Sequence, residues 1–186
     1  IIGTDQGYAV CFDEKDIRSM GRSAAGVRGI RLRDNDYVIG SAILEPESKV
    51  FVISENGYGK QTAASEYPIK GRGGKGIKTT NITEKNGPLA GLTTVNGDED
   101  IMVITDKGVM IRFKISDVSE TGRATLGVRL INLGADSIVS TMTKVEPEDE
   151  NENSEETTQE VSTEISDDTK DSDVARLLDA AQKDGE

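Results

Sequence analysis

The sequence predicts an all-β fold of three propeller-like, four-stranded blades followed by a disordered acidic tail. Three observations carry this reading. A turn signal recurs as Asp5-Gln6-Gly7, Glu55-Asn56-Gly57 and Asp106-Lys107-Gly108, at steps of 50 and 51 residues. A second motif, G-R-x-x-x-G-[VI]-[RK], recurs at the same steps as Gly21–Arg28, Gly71–Lys78 and Gly122–Arg129. The charge balance then changes abruptly near residue 145. Residues 1–144 hold 19 Lys and Arg against 18 Asp and Glu, whereas residues 145–186 hold 3 against 16. Two unrelated motifs repeating in phase mark a repeat architecture.

Each unit opens on a hairpin. Ile1–Thr4 and Tyr8–Phe12 flank the first turn, Val50–Ile53 and Tyr58–Thr62 the second, and Ile101–Thr105 and Val109–Phe113 the third. Apolar runs rich in β-branched residues on either side of a glycine-bearing turn are a hairpin signal. A later strand follows in every unit, at Val38–Ile43, Leu89–Thr93 and Ile138–Met142. The short apolar stretch beside the second motif glycine (Val27, Ile77, Val128) completes about four strands per unit, which at this period describes a propeller blade. The predicted units are 1–49, 50–100 and 101–145, with the tail at 146–186. Propellers close with about 4–8 blades. Three copies, the first beginning inside a strand, therefore read as the C-terminal piece of a longer protein.

The tail is rich in Glu, Asp, Ser and Thr, with little to bury, and is expected to be disordered. Near its end Val174, Leu177, Leu178 and Ala181 share one helical face behind Asp171 and Ser172, a short candidate helix. Its carboxylates fit either a competitor for a basic surface or a solubilising appendage.

Composition excludes several classes. With no histidine and one cysteine, Cys11, there is no Cys/His zinc site, no internal disulfide and no Ser-His-Asp or Cys-His nucleophile. Cys11 reads as a small apolar strand residue. No apolar run approaches the roughly 18 residues of a membrane-spanning helix, and the expected location is the cytoplasm. No metal or cofactor site is expected in the chain, and no catalytic residue. The repeated acids Asp16, Glu66 and Asp117 read as structural caps.

The basic residues of the motif are harder to explain as structure, since hairpin turns need no arginine. Arg22 and Arg28 recur as Arg72 and Lys78, then as Arg123 and Arg129. Each blade would present a cationic loop at one radial position, forming a curved track suited to a bent phosphate backbone. The richest copy, Lys70-Gly71-Arg72-Gly73-Gly74-Lys75-Gly76-Ile77-Lys78, adds glycines that bare backbone N–H groups to an anion. It lacks the Lys-Ser/Thr of a nucleotide-binding loop, and few aromatics accompany it, which disfavours single-strand stacking. Duplex DNA gripped through its phosphates is the expected ligand, and the candidate contacts are Arg22, Arg28, Arg31, Lys70, Arg72, Lys75, Lys78, Arg123 and Arg129. The competing readings are basic loops that pair with Asp16, Glu66 and Asp117, and a protein-binding propeller. The second would need an aromatic hot spot that the repeated Gly and Arg positions do not offer.

Residues 67–79, Y-P-I-K-G-R-G-G-K-G-I-K-T, with Asn81–Gly87, Met20–Gly29 and Thr121–Leu130, strongly resemble the C-terminal domain of bacterial DNA gyrase A chains. The resemblance covers essentially all of residues 1–145. It implies a six-bladed β-pinwheel, a propeller relative whose blades exchange strands and whose basic perimeter wraps DNA. It further implies two partners in an A2B2 topoisomerase, the rest of the gyrase A chain and the gyrase B chain, with ATP and Mg supplied through the latter. One departure stands out: the family's signature box belongs to the first blade. Here Arg72–Gly76 keep its R-G-G-K-G while Lys70 and Gly71 replace its Gln and Arg, so the segment reads as a box-like copy in a later blade. The related topoisomerase IV domain is the alternative, and regular repeats to the end favour gyrase.

Overall fold

The computed structural model describes residues 1–134 and 136–147. The expectations for the acidic tail and its terminal helix fall almost wholly on residues outside these.

Each hairpin forms where its turn glycine allows a backbone that other residues resist. Gly7, Gly57 and Gly108 adopt φ of 78°, 77° and 78°, a left-handed region open to glycine at little cost. Their N–H groups donate back to the carbonyls of Thr4, Ser54 and Thr105, at 3.1, 3.0 and 3.0 Å. The paired strands are β1 (Ile2–Thr4) with β2 (Tyr8–Val10), β4 (Lys49–Ser54) with β5 (Tyr58–Ala63), and β8 (Asp100–Thr105) with β9 (Met110–Lys114). The later strand of each unit, β3 (Val38–Ser41), β7 (Leu89–Val95) and β11 (Val139–Val145), lies antiparallel on the other side of β1, β4 and β8. After each hairpin comes a single 3₁₀ turn, at Glu14–Asp16, Ala64–Glu66 and Ile115–Asp117, which the strand pattern did not foretell.

The fourth strand comes from the next repeat. The two-residue strands β6 (Ile77–Lys78) and β10 (Val128–Arg129) pair backwards, β6 with β2 and β10 with β5. The sheets are therefore β3-β1-β2-β6, β7-β4-β5-β10 and β11-β8-β9. This is strand exchange of the kind the resemblance implied. It corrects the count of four strands in every unit: among the described residues the third sheet has three, and Val27 and Arg28 lie in no strand. Glycine makes the backward pairing possible. Gly76 (φ 73°) and Gly127 (φ 85°) run directly onto the preceding hairpin. A Cβ on either would sit 2.8 Å from the carbonyl oxygen of Ala9 or 2.7 Å from that of Gly59.

The middle sheet is buried on both faces, because alternate side chains of a strand point to opposite sides. Val50 and Val52 of β4 join Ala9, Tyr67, Leu89 and Leu92 in one core. Phe51 and Ile53 join Val95, Ile101, Val103, Ile115 and Val139 in the other. Cys11 is buried as expected of a small apolar residue. The Phe51 ring meets Phe113 edge-on, centroids 6.2 Å apart.

A buried lysine ties the second repeat to the third. Lys60, on β5, is fully enclosed. Its ammonium donates to the carbonyls of Gly122 (2.7 Å) and Arg123 (2.6 Å) and to Thr125 Oγ1 (3.1 Å), so all three protons are engaged. The equivalent residue of the first repeat is Val10, too short to reach, and a cavity of about 210 Å³ lies beside it against Gly71, Gly74 and Gly76.

Two outcomes follow from this packing. Phe51→Ala should cost about 3–5 kcal/mol in denaturant unfolding, and a loss under about 1 kcal/mol would contradict its central place. Burial lowers the Lys60 pKa from 10.5 to about 8, with Glu66 opposing and Arg123 reinforcing the shift. Between these values the unfolded chain binds more protons than the fold, so the Lys60 contribution to stability rises with pH through that window. The stability difference between the parent and Lys60→Met should therefore shift in the parent's favour from pH 8 to 10.5; parallel pH profiles would refute it.

Candidate nucleic-acid interface

Backward pairing lays one repeat's glycine-rich loop against the loop of the repeat before it. The Gly73 N–H donates to Gly29 O (2.6 Å) and the Arg31 N–H to Gly74 O (2.8 Å), with a parallel bridge between Ile30 and Gly74. Arg28, Arg31, Arg72 and Lys75 thus stand on two adjoining backbones, and all four are exposed. Lys70 enters beside them, its N–H held by Cys11 O at 2.9 Å. Lys78 and Arg129 sit on the exchanged strands, directly opposite Tyr8 and Tyr58. Among the described residues no hydrogen bond joins Arg22 to the others.

The expectation that glycines free backbone N–H groups for an anion fails at Gly73, whose N–H is already bonded to Gly29. Here the missing side chain serves close loop packing instead.

The motif arginine has a structural use at both joints, which the competing reading of paired loops anticipated only in part. Arg72 Nε donates to Asp16 O (3.2 Å), in the first 3₁₀ turn, and its Nη1 to Arg28 O (3.4 Å). Arg123 Nη1 donates to Lys78 O (3.0 Å), its N–H to Glu66 Oε2 (3.0 Å), and its Nε lies 3.7 Å from the same carboxylate oxygen. Each arginine therefore bridges back to the preceding repeat. The recurrence of arginine after glycine was the available signal, but it does not show which way the side chain turns.

The electrostatics separate the candidates. Arg22, Arg28, Arg31, Lys70, Arg72, Lys75, Lys78 and Arg129 are exposed and make no ion pair with a carboxylate among the described residues. Arg123 is half-buried and paired with Glu66, as one of the competing readings proposed for this acid. Asp16 contributes only its backbone carbonyl. Arg129 also donates from Nε and Nη2 to the Tyr58 hydroxyl, at 3.1 and 2.9 Å. Two further cations, Arg33 and Lys85, escaped the motif because they fall outside its frame. The Arg33 guanidinium lies 3.3 Å over the Tyr8 ring, and its Nη1 donates to Lys75 O at 2.8 Å.

The turn acids are occupied with the backbone. Asp5 Oδ1 accepts from the Tyr37 N–H (2.7 Å) and Asp106 Oδ1 from the Ile138 N–H (2.9 Å); the latter bond holds the Asp106 carboxyl below its ordinary pKa. Among the described residues no group of three or more acids and cysteine is placed to hold a metal ion. No described helix is long and apolar enough to cross a membrane.

Comparison with known proteins agrees with this architecture. The family model for the DNA gyrase C-terminal domain, beta-propeller, matches residues 1–45, 48–96 and 99–146. The DNA gyrase A chain of Staphylococcus epidermidis is 51% identical over 153 residues, covering 81% of this chain. Its counterpart from Staphylococcus aureus is 48% identical over the same length and share. The chain spans 17% of the length of each. Among solved structures, a DNA gyrase A C-terminal domain superposes with a TM-score of 0.71 at 24% identity, covering 77% of this chain and 49% of that one. The C-terminal domain of a DNA topoisomerase IV gives 0.73 at 24%, covering 78% and 46%. Both share the fold, and the relatives at higher identity carry the gyrase name. With three successive matches to the family model and about half of the aligned residues identical to those relatives, this chain belongs to the DNA gyrase C-terminal domain family.

Proposed function

We propose that the chain is the DNA-binding and DNA-bending region of a gyrase A chain. The observation that carries this is the pair of interlocked loops at 28–31 and 70–76, whose exposed cations have no carboxylate partners among the described residues. A nearly neutral body offers little long-range pull on nucleic acid. Local concentration of charge replaces it, and neutralising phosphates there releases condensed counterions, which drives binding irrespective of sequence.

Phosphate contact falls to Arg22, Arg28, Arg31, Lys70, Arg72, Lys75, Lys78 and Arg129, with a smaller share for Arg123 because Glu66 already neutralises it. The two motif arginines also hold the joints between repeats, so the surface that meets DNA is fixed in shape before DNA arrives. A duplex following cations on successive repeats must bend, and a bent segment presented to the rest of the enzyme biases strand passage towards negative supercoils. Within that reading the partners are the remainder of the gyrase A chain and the gyrase B chain, where ATP and Mg would act, and the setting is the cytoplasm.

Replacing Arg72, Lys75 and Lys78 together by Ala should lower the salt slope of duplex binding by about three units and weaken all sequences alike. Circular dichroism should show the sheets retained. Unchanged affinity and slope in a folded triple variant would refute the proposal.

A further inference from the structure

Two niches repeat in phase with the sheets. The first, about 270 Å³, is walled by Gln6, Tyr8, Lys78, Asn81 and Ile82. The second, about 260 Å³, has Asn56, Tyr58, Arg129, Asn132 and Leu133 in the corresponding places. The residues correspond one to one at the 50- and 51-residue steps of the repeat. Each niche lies between the hairpin of one repeat and the exchanged strand of the next.

In the second niche two cations share one tyrosine. At Tyr58, Arg129 lies 5.3 Å and the Lys85 ammonium 5.6 Å from the ring centroid. At Tyr8, Arg33 lies over the ring beside the niche without lining it, while Lys78 lines it from the exchanged strand, its Nζ 3.3 Å from Asn81 Oδ1. The hairpin amide holds the second cation's loop in place: Gln6 Nε2 donates to Asp34 O (2.8 Å), and Asn56 Nδ2 to Glu84 O and Lys85 O (both 3.2 Å). No carboxylate lines either niche. Asp34 and Glu84, the acids next in sequence, make no ion pair with Arg33 or Lys85 among the described residues. A tyrosine face attracts a cation; at Tyr58 two like charges share one ring, and an anion seated between them would relieve their repulsion.

We propose that these niches are phosphate seats, one per repeat, for successive stretches of a single duplex backbone, with Arg33 and Lys85 as contacts additional to the glycine-rich loops. The third hairpin shows what a repeat without a seat looks like. Val109 stands in the tyrosine's place, and Lys107 is paired with Asp106 at 3.4 Å. The inference rests on the DNA-binding reading, and its test separates the two.

The full chain is titrated with a mixed-sequence duplex across a range of salt concentrations. Arg33→Gln and Lys85→Gln should each lower the salt slope by roughly one unit, whereas Lys107→Gln should leave it unchanged. Arg33→Lys and Lys85→Arg, which keep the charge, should restore the parent slope, showing that the loss is not one of folding. If the parent binds and the two Gln variants keep its slope, or if Lys107→Gln loses as much as they do, the seats are overturned and the loop track stands. If the parent chain does not bind duplex at all, the DNA-binding reading falls and the seats with it.

Discussion

The structure depends on one pairing: a two-residue strand from each later repeat laid against the hairpin of the repeat before it. The ladders are short, Tyr8 with Lys78 and Tyr58 with Arg129 at their ends, yet they decide where the next loop goes. Because Gly76 and Gly127 meet backbone carbonyls at under 3 Å from a would-be Cβ, no side chain can stand there without moving the strand. The glycine-rich motif is therefore first a packing device. Its cations reach the surface because the chain has just crossed to its neighbour's sheet.

The two joints made in this way are not equal. Between the second and third repeats Lys60 binds two carbonyls and a hydroxyl, and Arg123 adds the Glu66 carboxylate. Between the first and second, Val10 leaves a cavity and Arg72 finds only carbonyls. An ion pair as exposed as Arg123–Glu66 contributes at most about 1 kcal/mol. The buried lysine matters more, since its enclosed ammonium depends on three charge-assisted hydrogen bonds. At the first joint the motif arginine keeps an uncompensated charge at the surface, which concentrates the field on the 28–31 and 70–76 loops.

Much of this was legible in the sequence. Turn glycines and apolar flanks placed three hairpins within a residue or two, and the repeat step located every motif cation that the structure leaves exposed. What the spacing does not carry is sheet membership. A strand as short as Ile77–Lys78 shows the same period whether it closes its own blade or another, so four strands per unit followed from counting while the pairing among the described residues gave four, four and three. Lys60 lay hidden for a similar reason: on a strand of alternating residues it reads as outward and solvated, and its partners are about sixty positions away. Arg33 and Lys85 have no counterpart at a shared step, and only the folded chain brings them onto Tyr8 and Tyr58.

The central claim is that cations borne on successive exchanged strands hold one duplex along a curved path. Energy transfer between dyes at the two ends of a duplex long enough to span the repeats tests it most directly. The account predicts that adding the chain at low salt brings the ends together and that raising the salt reverses it. Saturable binding with no change in end-to-end distance would mean that the cations hold DNA without bending it, and the account would be wrong.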